Sequence, residues 1–261
     1  MIPKILHFIW LGGASKPELV ERCIASWKKV LPDFEIVEWN DELTKSIENR
    51  FFKEALSEKK WAFASDYLRL HVLNQFGGIY LDSDEEVFHD LSDFLDADFF
   101  TGFEDHRGSQ FPVTALMGSV PGGYVIRDLL SHYCNKSFIL PDGTLDMTPN
   151  TQLIADQFKS YGLLPPYEYD QVFRLKLDGK NIIYPSGYFC TPKNGVKSFA
   201  MHHFGGSWVD DFKLVFRVDL PIGLLALYKR KKFTGKDIPL PAGFRLRGMI
   251  NFGRFYFCFA K

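Results

Sequence analysis

Four carboxylates lie within five positions of the sequence GGIYLDSDEEV, residues 77–87. Its glycines lead into a short β-type run, IYL, and Asp82 and Asp84 follow with one residue between them. Two carboxylates with this spacing at a strand end can both reach one divalent cation if the backbone bends there, and Mg²⁺ and Mn²⁺ prefer such oxygen ligands. The cation would offset the charge on a bound diphosphate. An acidic turn is the alternative, and Glu85 and Glu86 are expected to be solvated or paired locally.

A largely apolar helix is predicted just before this motif, in KKWAFASDYLRLHVLNQF at residues 59–76. Asp66 and Arg69 are three positions apart and therefore share one face of that helix. A charged pair on a mostly buried helix must be satisfied or used, because burial of unpaired charge is costly. Both elements are expected to line one cleft. A structural ion pair is the alternative interpretation.

Two tryptophans follow predicted strands in positions that suit ligand contacts. Trp10 ends the first strand, where an indole ring can stack on a nucleotide base. Trp208 follows HHFGGS, in which His202 or His203 could bind a metal and the segment 205–207 could approach a phosphate. A tryptophan in the core and a structural histidine are the more common roles of these residue types.

Alternating strands and helices predict an α/β fold with a mostly parallel sheet covered on both faces. Ligands on such sheets bind beyond the carboxyl ends of the strands, and Asp82 lies at one such end. The predicted strands are 4–10, 34–39, 79–82, 98–104, 113–120, 181–185 and 199–204, and the predicted helices are 17–30, 41–59, 59–76, 123–134 and 151–161.

Composition limits the class of protein. The 261 residues are 46% hydrophobic, enough for a large core in one domain or two. No run reaches the ~18 apolar residues of a membrane-spanning helix, and MIPKILHFIW resembles a strand more than a signal peptide. A soluble or peripheral protein is therefore expected. The cysteines have no metal-binding spacing, which favours reduced thiols and a cytosolic compartment; they are Cys23, Cys134, Cys190 and Cys258.

Charge is distributed unevenly along the chain. The net charge is −1, yet residues 213–261 contain 11 Lys and Arg against two acids, Asp219 and Asp237. This segment is also rich in Phe, Leu and Ile. A basic, aromatic surface suits an anionic membrane leaflet or a lipid-linked pyrophosphate. A small subdomain with a solvated basic face is the alternative.

Four ordered blocks resemble one known family. They are IPKILHFIWLGG, SWKKVLPDFEIVEWN, WAFASDYLRLHVLNQFGGIYLDSDEEV and HHFGGSW. They are similar to glycosyltransferase family 32, the D-x-D sugar transferases of capsule and exopolysaccharide synthesis and of yeast mannosylation. The first and third blocks also resemble the glucosyltransferase domains of large clostridial toxins. The resemblance covers residues 2–90 closely and returns near 145–155 and 181–208.

The resemblance implies a GT-A fold, in which a single Rossmann-like domain binds a nucleotide sugar. Residues 1–212 would form this glycosyltransferase domain, and residues 213–261 a small basic and aromatic C-terminal extension that contacts membrane or acceptor. It also implies a retaining transfer that depends on Mn²⁺ or Mg²⁺.

The resemblance further implies roles for individual residues. Trp10 would stack on the base, Asp66 and Arg69 would hold the sugar hydroxyls, and Trp208 would contact the leaving diphosphate. In the toxin domains a carboxylate stands where this chain has His203. The implied catalytic residues are Asp66, Arg69, Asn150 and Trp208; the donor-binding residues are Ile9, Trp10, Ser65, Asp66, Arg69, Tyr80, Asp82, Ser207 and Trp208; and the metal ligands are Asp82, Asp84 and His203.

The function expected from these features and this resemblance is hexose transfer from a nucleoside diphosphate sugar to a surface glycan of capsule, exopolysaccharide or O-antigen type. UDP-hexose is favoured as the donor, with GDP-mannose as the alternative. The acceptor is expected to be a glycan or a lipid-linked oligosaccharide, and no nucleic acid partner is expected. The expected location is the cytoplasm, at the inner face of the plasma membrane. An effector that glycosylates host proteins and a non-catalytic sugar-binding module are the alternatives.

The basic segment 213–261 should bind anionic vesicles more tightly than neutral ones, because its cations are attracted to acidic headgroups. Pelleting with phosphatidylserine-containing liposomes should exceed pelleting with phosphatidylcholine alone, and the excess should fall as salt rises. Equal pelleting with both lipids would contradict the electrostatic interpretation.

Overall fold

The computed structural model describes residues 1–106, 109–113 and 115–205, and four later strands at 212–220, 223–230, 246–252 and 255–260. The chain divides into two compact units, Met1–Gly205 and Gly206–Lys261. The division predicted at 212/213 stays a prediction.

The first unit contains eleven described strands and six α-helices, and the second contains the remaining four strands. The strands are β1 Ile5–Ile9, β2 Glu35–Trp39, β3 Gly78–Leu81, β4 Glu85–Val87, β5 Phe99–Gly102, β6 Glu104–His106, β7 Ser109–Phe111, β8 Leu116–Ser119, β9 Phe173–Arg174, β10 Asn181–Tyr184, β11 Ala200–His202, β12 Phe212–Leu220, β13 Gly223–Arg230, β14 Leu246–Phe252 and β15 Phe255–Ala260. The helices are α1 Glu18–Val30, α2 Arg50–Ser57, α3 Trp61–Phe76, α4 Tyr124–Ser131, α5 Asn150–Ser160 and α6 Ser186–Phe189, and a 3₁₀ turn spans Ser92–Phe94.

A seven-stranded sheet in the order β2-β1-β3-β8-β5-β10-β9 forms the centre of the first unit. Strands β1, β2, β3, β5 and β10 run in one direction, while β8 and β9 run in the other. Every residue of β3, β5 and β8 is buried, as expected for strands covered on both faces. The expected α/β class with a mostly parallel sheet is confirmed, and the GT-A assignment stays a prediction.

Two hydrophobic cores cover the two faces of this sheet. Helices α2, α3, α4 and α5 contribute to one core, which also contains Tyr80 and Phe103. Helix α1 packs on the opposite face through Trp27, together with Phe94 and Phe189. Side chains alternate between these cores along each strand, so Tyr80 lies on the α3 face and its neighbours Ile79 and Leu81 on the α1 face.

Helix α3 ends where two glycines turn the chain directly into β3. Gly77 has φ +63°, and a Cβ there would lie 2.7 Å from the backbone nitrogen of Pro121. Gly78 has φ +96°, and its Cβ would lie 2.5 Å from the carbonyl oxygen of Ile5. Both positions therefore require glycine for conformation and for space. The glycines place the predicted buried helix next to the strand that carries the carboxylate motif.

A short antiparallel ribbon of β4 and β11 brings a distant segment to this motif. Its register pairs His202 with Glu85 and Ala200 with Val87. The fully buried Trp27 of α1 donates its indole N–H to the carbonyl oxygen of Glu85 at 2.7 Å and holds the ribbon against the α1 face. The ribbon thereby places the chain that follows residue 199 beside Asp84.

The prediction of one helix over 41–59 was wrong in its first half. The carboxamide oxygen of Asn40 accepts the backbone N–H groups of Glu42 and Leu43 and starts a set of turns instead. Helix α2 begins later, after Asn49, whose side chain accepts the N–H of Phe52. Short polar residues cap helices and turns readily, and this competes with helix continuation.

The described strands of the second unit form an antiparallel sheet in the order β12-β13-β15-β14. No strand was predicted there, because residues 213–261 were interpreted from their basic and apolar composition and not from their periodicity. Within the described residues of the whole chain, no helix is long and apolar enough to cross a membrane. The described cysteines, Cys23, Cys134 and Cys190, are free thiols.

Candidate functional site

Arg69 is the centre of a buried charge cluster at the carboxyl end of β3. Its Nη2 atom lies 3.1 Å from Oδ1 of Asp66 and 3.3 Å from Oδ1 of Asp82. The guanidinium group also donates to the hydroxyl and the carbonyl oxygen of Ser65 and lies over the Tyr80 ring, 4.7 Å from its centroid. Because a buried guanidinium is held from several sides, its position between the two carboxylates is well defined.

Asp82 is oriented by the strand that precedes it. Its backbone N–H donates to the carbonyl oxygen of Ala115 at 2.9 Å, which extends the pairing of β3 with the neighbouring chain. Its carboxylate accepts the Tyr80 hydroxyl at 2.7 Å. Asp82 therefore lies on the α3 face of the sheet, as Tyr80 does.

Burial and neighbouring charges shift the proton affinities in this cluster. Burial raises the pKa of Asp66 to about 7, although Arg69 lowers it and Asp82 raises it further. Burial by itself would lower the pKa of Arg69, but the Asp82 carboxylate and the Tyr80 phenol keep it above its ordinary value. Burial also raises the pKa of the Tyr80 phenol well above its ordinary value. Arg69 therefore stays positively charged, and the carboxyl group of Asp66 has a pKa near neutral pH.

Asn150 begins α5 and faces the same cluster. Its backbone N–H lowers the pKa of Asp66, as a helix N-terminus does for a nearby carboxylate. The residue is 6% exposed, and its Nδ2 atom has no hydrogen-bond partner among the described residues. A buried amide donor without a partner is costly, so this atom is available for a ligand oxygen.

Asp82, Asp84 and His202 form a group that could hold a metal ion, with one ligand atom from each lying within 4.8 Å of the others. Nε2 of His202 is 3.4 Å from Oδ1 of Asp84. Oδ2 of Asp84 accepts the backbone N–H of Gly205 at 2.6 Å, which orients the carboxylate. Two carboxylates and an imidazole are a donor set that suits Mn²⁺. The residues present therefore fit the divalent cation that the motif predicts.

Electrostatic coupling within this group is strong. Burial raises the pKa of Asp84, but the His202 imidazole and the Gly205 N–H more than compensate, so its pKa is lowered overall. Burial lowers the pKa of His202, and the Asp84 carboxylate reverses this and leaves it raised. Each of these two groups therefore favours the charged form of the other.

The imidazole of His203, which the resemblance implied as a metal ligand, lies elsewhere. Its Nε2 atom is 2.7 Å from Oε2 of Glu86, and Glu86 also lies 3.6 Å from Nε of Arg22. The structure therefore brings His202, and not His203, to the Asp82–Asp84 pair. Glu86 is paired locally, as expected.

Glu85 differs from its expectation. Its side chain is fully buried, and neither oxygen has a hydrogen-bond partner among the described residues. Burial raises its pKa well above the ordinary value, and Cys190 and Asp84 add to the effect. The expectation of a solvated or paired carboxylate was wrong, because the register of β4 turns this side chain inward.

The residues expected at the nucleotide lie at the same edge of the sheet. Ile9 ends β1, and Trp10 follows it, with its backbone N–H on the carbonyl of Trp39 and its indole N–H on the carbonyl of Ala14. Trp61 also lies here and was not predicted; its half-exposed ring packs over Gly12 so closely that a Cβ there would lie 2.7 Å from it. Its position in the first turn of the predicted helix was the available signal. Ser207 and Trp208 lie outside the described residues.

Comparisons with known proteins cover the part of the chain that contains Asp66, Arg69, Asp82 and Asp84. Residues 17–100 match the family described as a glycosyltransferase sugar-binding region containing a DXD motif. An uncharacterized glycosyltransferase of Acanthamoeba polyphaga mimivirus is 35% identical over 171 residues, which cover 62% of this chain and 66% of that protein. The chain thus spans just under two thirds of that relative's length. The resemblance to D-x-D sugar transferases is confirmed.

Two solved structures are also similar. The PaToxG glycosyltransferase is 22% identical with a TM-score of 0.41, over 50% of this chain and 59% of that one. A glycosyltransferase involved in the glycosylation of the major capsid of PBCV-1 is 15% identical with a TM-score of 0.45, over 79% of this chain and 95% of that one.

His202→Ala should weaken Mn²⁺ binding about tenfold or more, because it removes an imidazole beside Asp84. The matched variant His203→Ala should change it less than about twofold, since that ring contacts Glu86. Titration of free Mn²⁺ by electron paramagnetic resonance measures both. A larger loss for His203→Ala would contradict the ligand set drawn from the structure.

Asp66→Asn should abolish a loss of stability that the wild type suffers as pH rises. The folded protein holds a proton on Asp66 up to about pH 7, whereas an unperturbed Asp, with a pKa of 3.8, releases it earlier. The contribution of Asp66 to the wild-type free energy of unfolding therefore falls between about pH 4 and pH 7. Urea denaturation in EDTA should show the variant gaining on the order of 2 kcal/mol relative to wild type across that window.

Asp156→Asn is the control for this measurement. Asp156 is exposed, and a hydrogen bond from Lys159 lowers its pKa, so its stabilising contribution is lost only as the solution becomes acidic. Its difference from wild type should stay constant above about pH 5. Parallel pH profiles for Asp66→Asn and wild type would show that the carboxyl group is already ionised in the folded protein.

Proposed function

We propose, from the match of residues 17–100 to the DXD-containing sugar-binding region of glycosyltransferases, that this chain is a metal-dependent glycosyltransferase. It moves a hexose from a nucleoside diphosphate sugar to a surface-glycan acceptor of capsule, exopolysaccharide or O-antigen type. One observation carries the proposal: the metal-competent group with Asp84 and His202 adjoins the Asp66–Arg69–Asp82 cluster at the carboxyl edge of the sheet. Ligands of α/β proteins bind at this edge.

Asp82, Asp84 and His202 would hold the divalent cation. A bound cation offsets the negative charge that develops on the departing diphosphate. The imidazole favours Mn²⁺ over Mg²⁺, because Mg²⁺ prefers an all-oxygen environment. Gly205 keeps the Asp84 carboxylate turned toward the group by donating its backbone N–H.

Asp66, Arg69 and Asn150 are proposed to bind the donor sugar. Arg69 presents N–H donors in a planar fork, and the Asp66 carboxylate accepts hydrogen bonds from sugar hydroxyls when ionised. The unpartnered Nδ2 atom of Asn150 supplies a further donor from the start of α5. A sugar oxygen that accepts from this atom supplies a hydrogen bond that the free protein lacks.

The nucleotide is proposed to lie along the ends of β1 and β3, with its base on Trp10 beside Ile9. Ser65 and Tyr80 would contact the nucleotide from α3 and β3. Ser207 and Trp208, which are assigned through the family resemblance alone, would contact the leaving diphosphate. UDP-hexose is the favoured donor and GDP-mannose the alternative.

We further propose that the transfer retains the anomeric configuration by a front-face route. The acceptor oxygen bonds to the anomeric carbon as the bond from that carbon to the diphosphate oxygen breaks, and the hydroxyl proton passes to the departing diphosphate. Asp66 supports this route, because Arg69 and the start of α5 hold its carboxylate as a binding group. A nucleophilic carboxylate would need to be free to reach the anomeric carbon.

The acceptor is proposed to be a glycan or a lipid-linked oligosaccharide at the cytoplasmic face of the membrane. The excess of Lys and Arg in residues 213–261 supports a peripheral position there.

Asp84→Ala should lower nucleoside diphosphate release from the donor at least 100-fold, because it removes a cation ligand and leaves the diphosphate charge uncompensated. The assay uses UDP-glucose, UDP-galactose, UDP-N-acetylhexosamines and GDP-mannose, with Mn²⁺ or with EDTA. Release from one donor in the wild type, lost with EDTA or with the variant, is the expected result. Many transferases hydrolyse their donor slowly without acceptor, so no acceptor is required.

Asp33→Ala, which removes an exposed carboxylate far along the chain from the motif, is the matched control and should retain full activity. Full metal-dependent activity in Asp84→Ala would overturn the proposed site. Donor binding without release, even with an acceptor library, would favour a non-catalytic sugar-binding module.

A further inference from the structure

A cavity of about 310 Å³ lies outside the site already described. Residues 162–173 form most of its wall, and Phe103 closes it on the side of the sheet. Its volume lies at the lower end of the range of small-ligand sites, about 300–1,000 Å³.

The cavity lies at the same edge and on the same face of the sheet as Asp82. Phe103 directly follows β5, which runs parallel to β3 with β8 between them. Phe103 belongs to the core on the α3 face, as does Tyr80, whose hydroxyl contacts Asp82. Two strand spacings of ~4.8 Å separate β3 from β5, so the cavity begins on the order of 10 Å across the edge from Asp82.

The wall of the cavity is held in place without a ligand. The backbone N–H of Ser186 donates to the carbonyl of Tyr169 at 2.7 Å, and the Tyr169 ring packs edge-on against Phe103 with 5.6 Å between centroids. Lys193 forms ion pairs with Asp170 at 2.6 Å and with Asp105 at 3.1 Å. These contacts tie the 162–173 loop to the end of the sheet, so the cavity is preformed.

The lining suits a neutral sugar ring. The half-buried Tyr167 and Phe173 supply aromatic surface, Phe103 forms the buried floor beneath them, and Glu168 and Gln171 supply hydrogen-bonding groups. The C–H face of a pyranose packs on aromatic rings while its hydroxyls bond to such polar groups. None of the described residues of the lining is a Lys or Arg, and Lys176 approaches the lining residue Gly162 through its side-chain carbons.

We propose that this cavity is the acceptor subsite and binds a neutral hexose residue of the glycan that receives the transferred sugar. The inference rests on the proposed function and adds the chemical class of the acceptor. The acceptor ring stacks in the cavity, with its reactive end pointing along the sheet edge toward the donor cluster. Leu164 and Val172, which are 64% and 50% exposed, extend the apolar rim beyond the bound ring.

Methyl α- and β-hexopyranosides of glucose, galactose and mannose are the probes for this test, and saturation-transfer NMR with the full chain, UDP and Mn²⁺ measures their binding. Tyr167→Ala should weaken binding of the best glycoside about tenfold, because it removes a ring that stacks on the sugar. Tyr167→Phe retains the ring and should bind within about threefold of wild type. Tyr124→Ala removes an exposed tyrosine of α4 outside the cavity and should have no effect.

Saturation should be strongest on the C–H protons of one sugar face, and UDP should not displace the glycoside. Unchanged binding in Tyr167→Ala, displacement by UDP, or no binding of any glycoside would each overturn the proposal. The measurement needs no turnover, so it is independent of donor hydrolysis: loss of activity with intact glycoside binding would count against the proposed function alone.

Discussion

The buried guanidinium of Arg69 is the interaction on which the site depends. It lies between Asp66 and Asp82 and over the ring of Tyr80, and it joins α3 to the end of β3. Two partly buried carboxylates this close would repel one another without a cation. The permanent charge of Arg69 attracts both of them, and burial still raises the pKa of Asp66 to about 7. The surrounding fold, including the glycine pair after α3, serves to hold this arrangement.

A second requirement is that segments far apart in the chain meet at one edge. The sheet carries the ends of β1 and β3 to that edge, and the β4–β11 ribbon adds His202 beside Asp84. Helix α5 adds Asn150 from above the α3 face. Each segment contributes a polar group, so the proposed site is a small polar area at the end of two hydrophobic cores.

Features that depend on local spacing were predictable from the sequence. The carboxylate motif, the pairing of Asp66 with Arg69, the buried helix and the mostly parallel sheet all follow from patterns within about twenty residues. The choice between His202 and His203 was not predictable, because the long-range register of β4 with β11 decides which imidazole meets Asp84. The same register buries Glu85. The cavity beside Phe103 had no sequence signal, since its wall is an irregular loop without a motif.

The hydrogen bond from Gly205 to Asp84 has a consequence for folding, because it closes a loop of 121 residues. Closure of so long a loop costs chain entropy that only the formed core repays, so non-local sites assemble late. The segment that matches the family, residues 17–100, contains both aspartates of the motif but neither Asn150 nor His202. A chain that ended at residue 100 would contain the Asp82–Asp84 motif but would lack His202 and Asn150. The proposed cation site is therefore a property of the completed topology rather than of the motif.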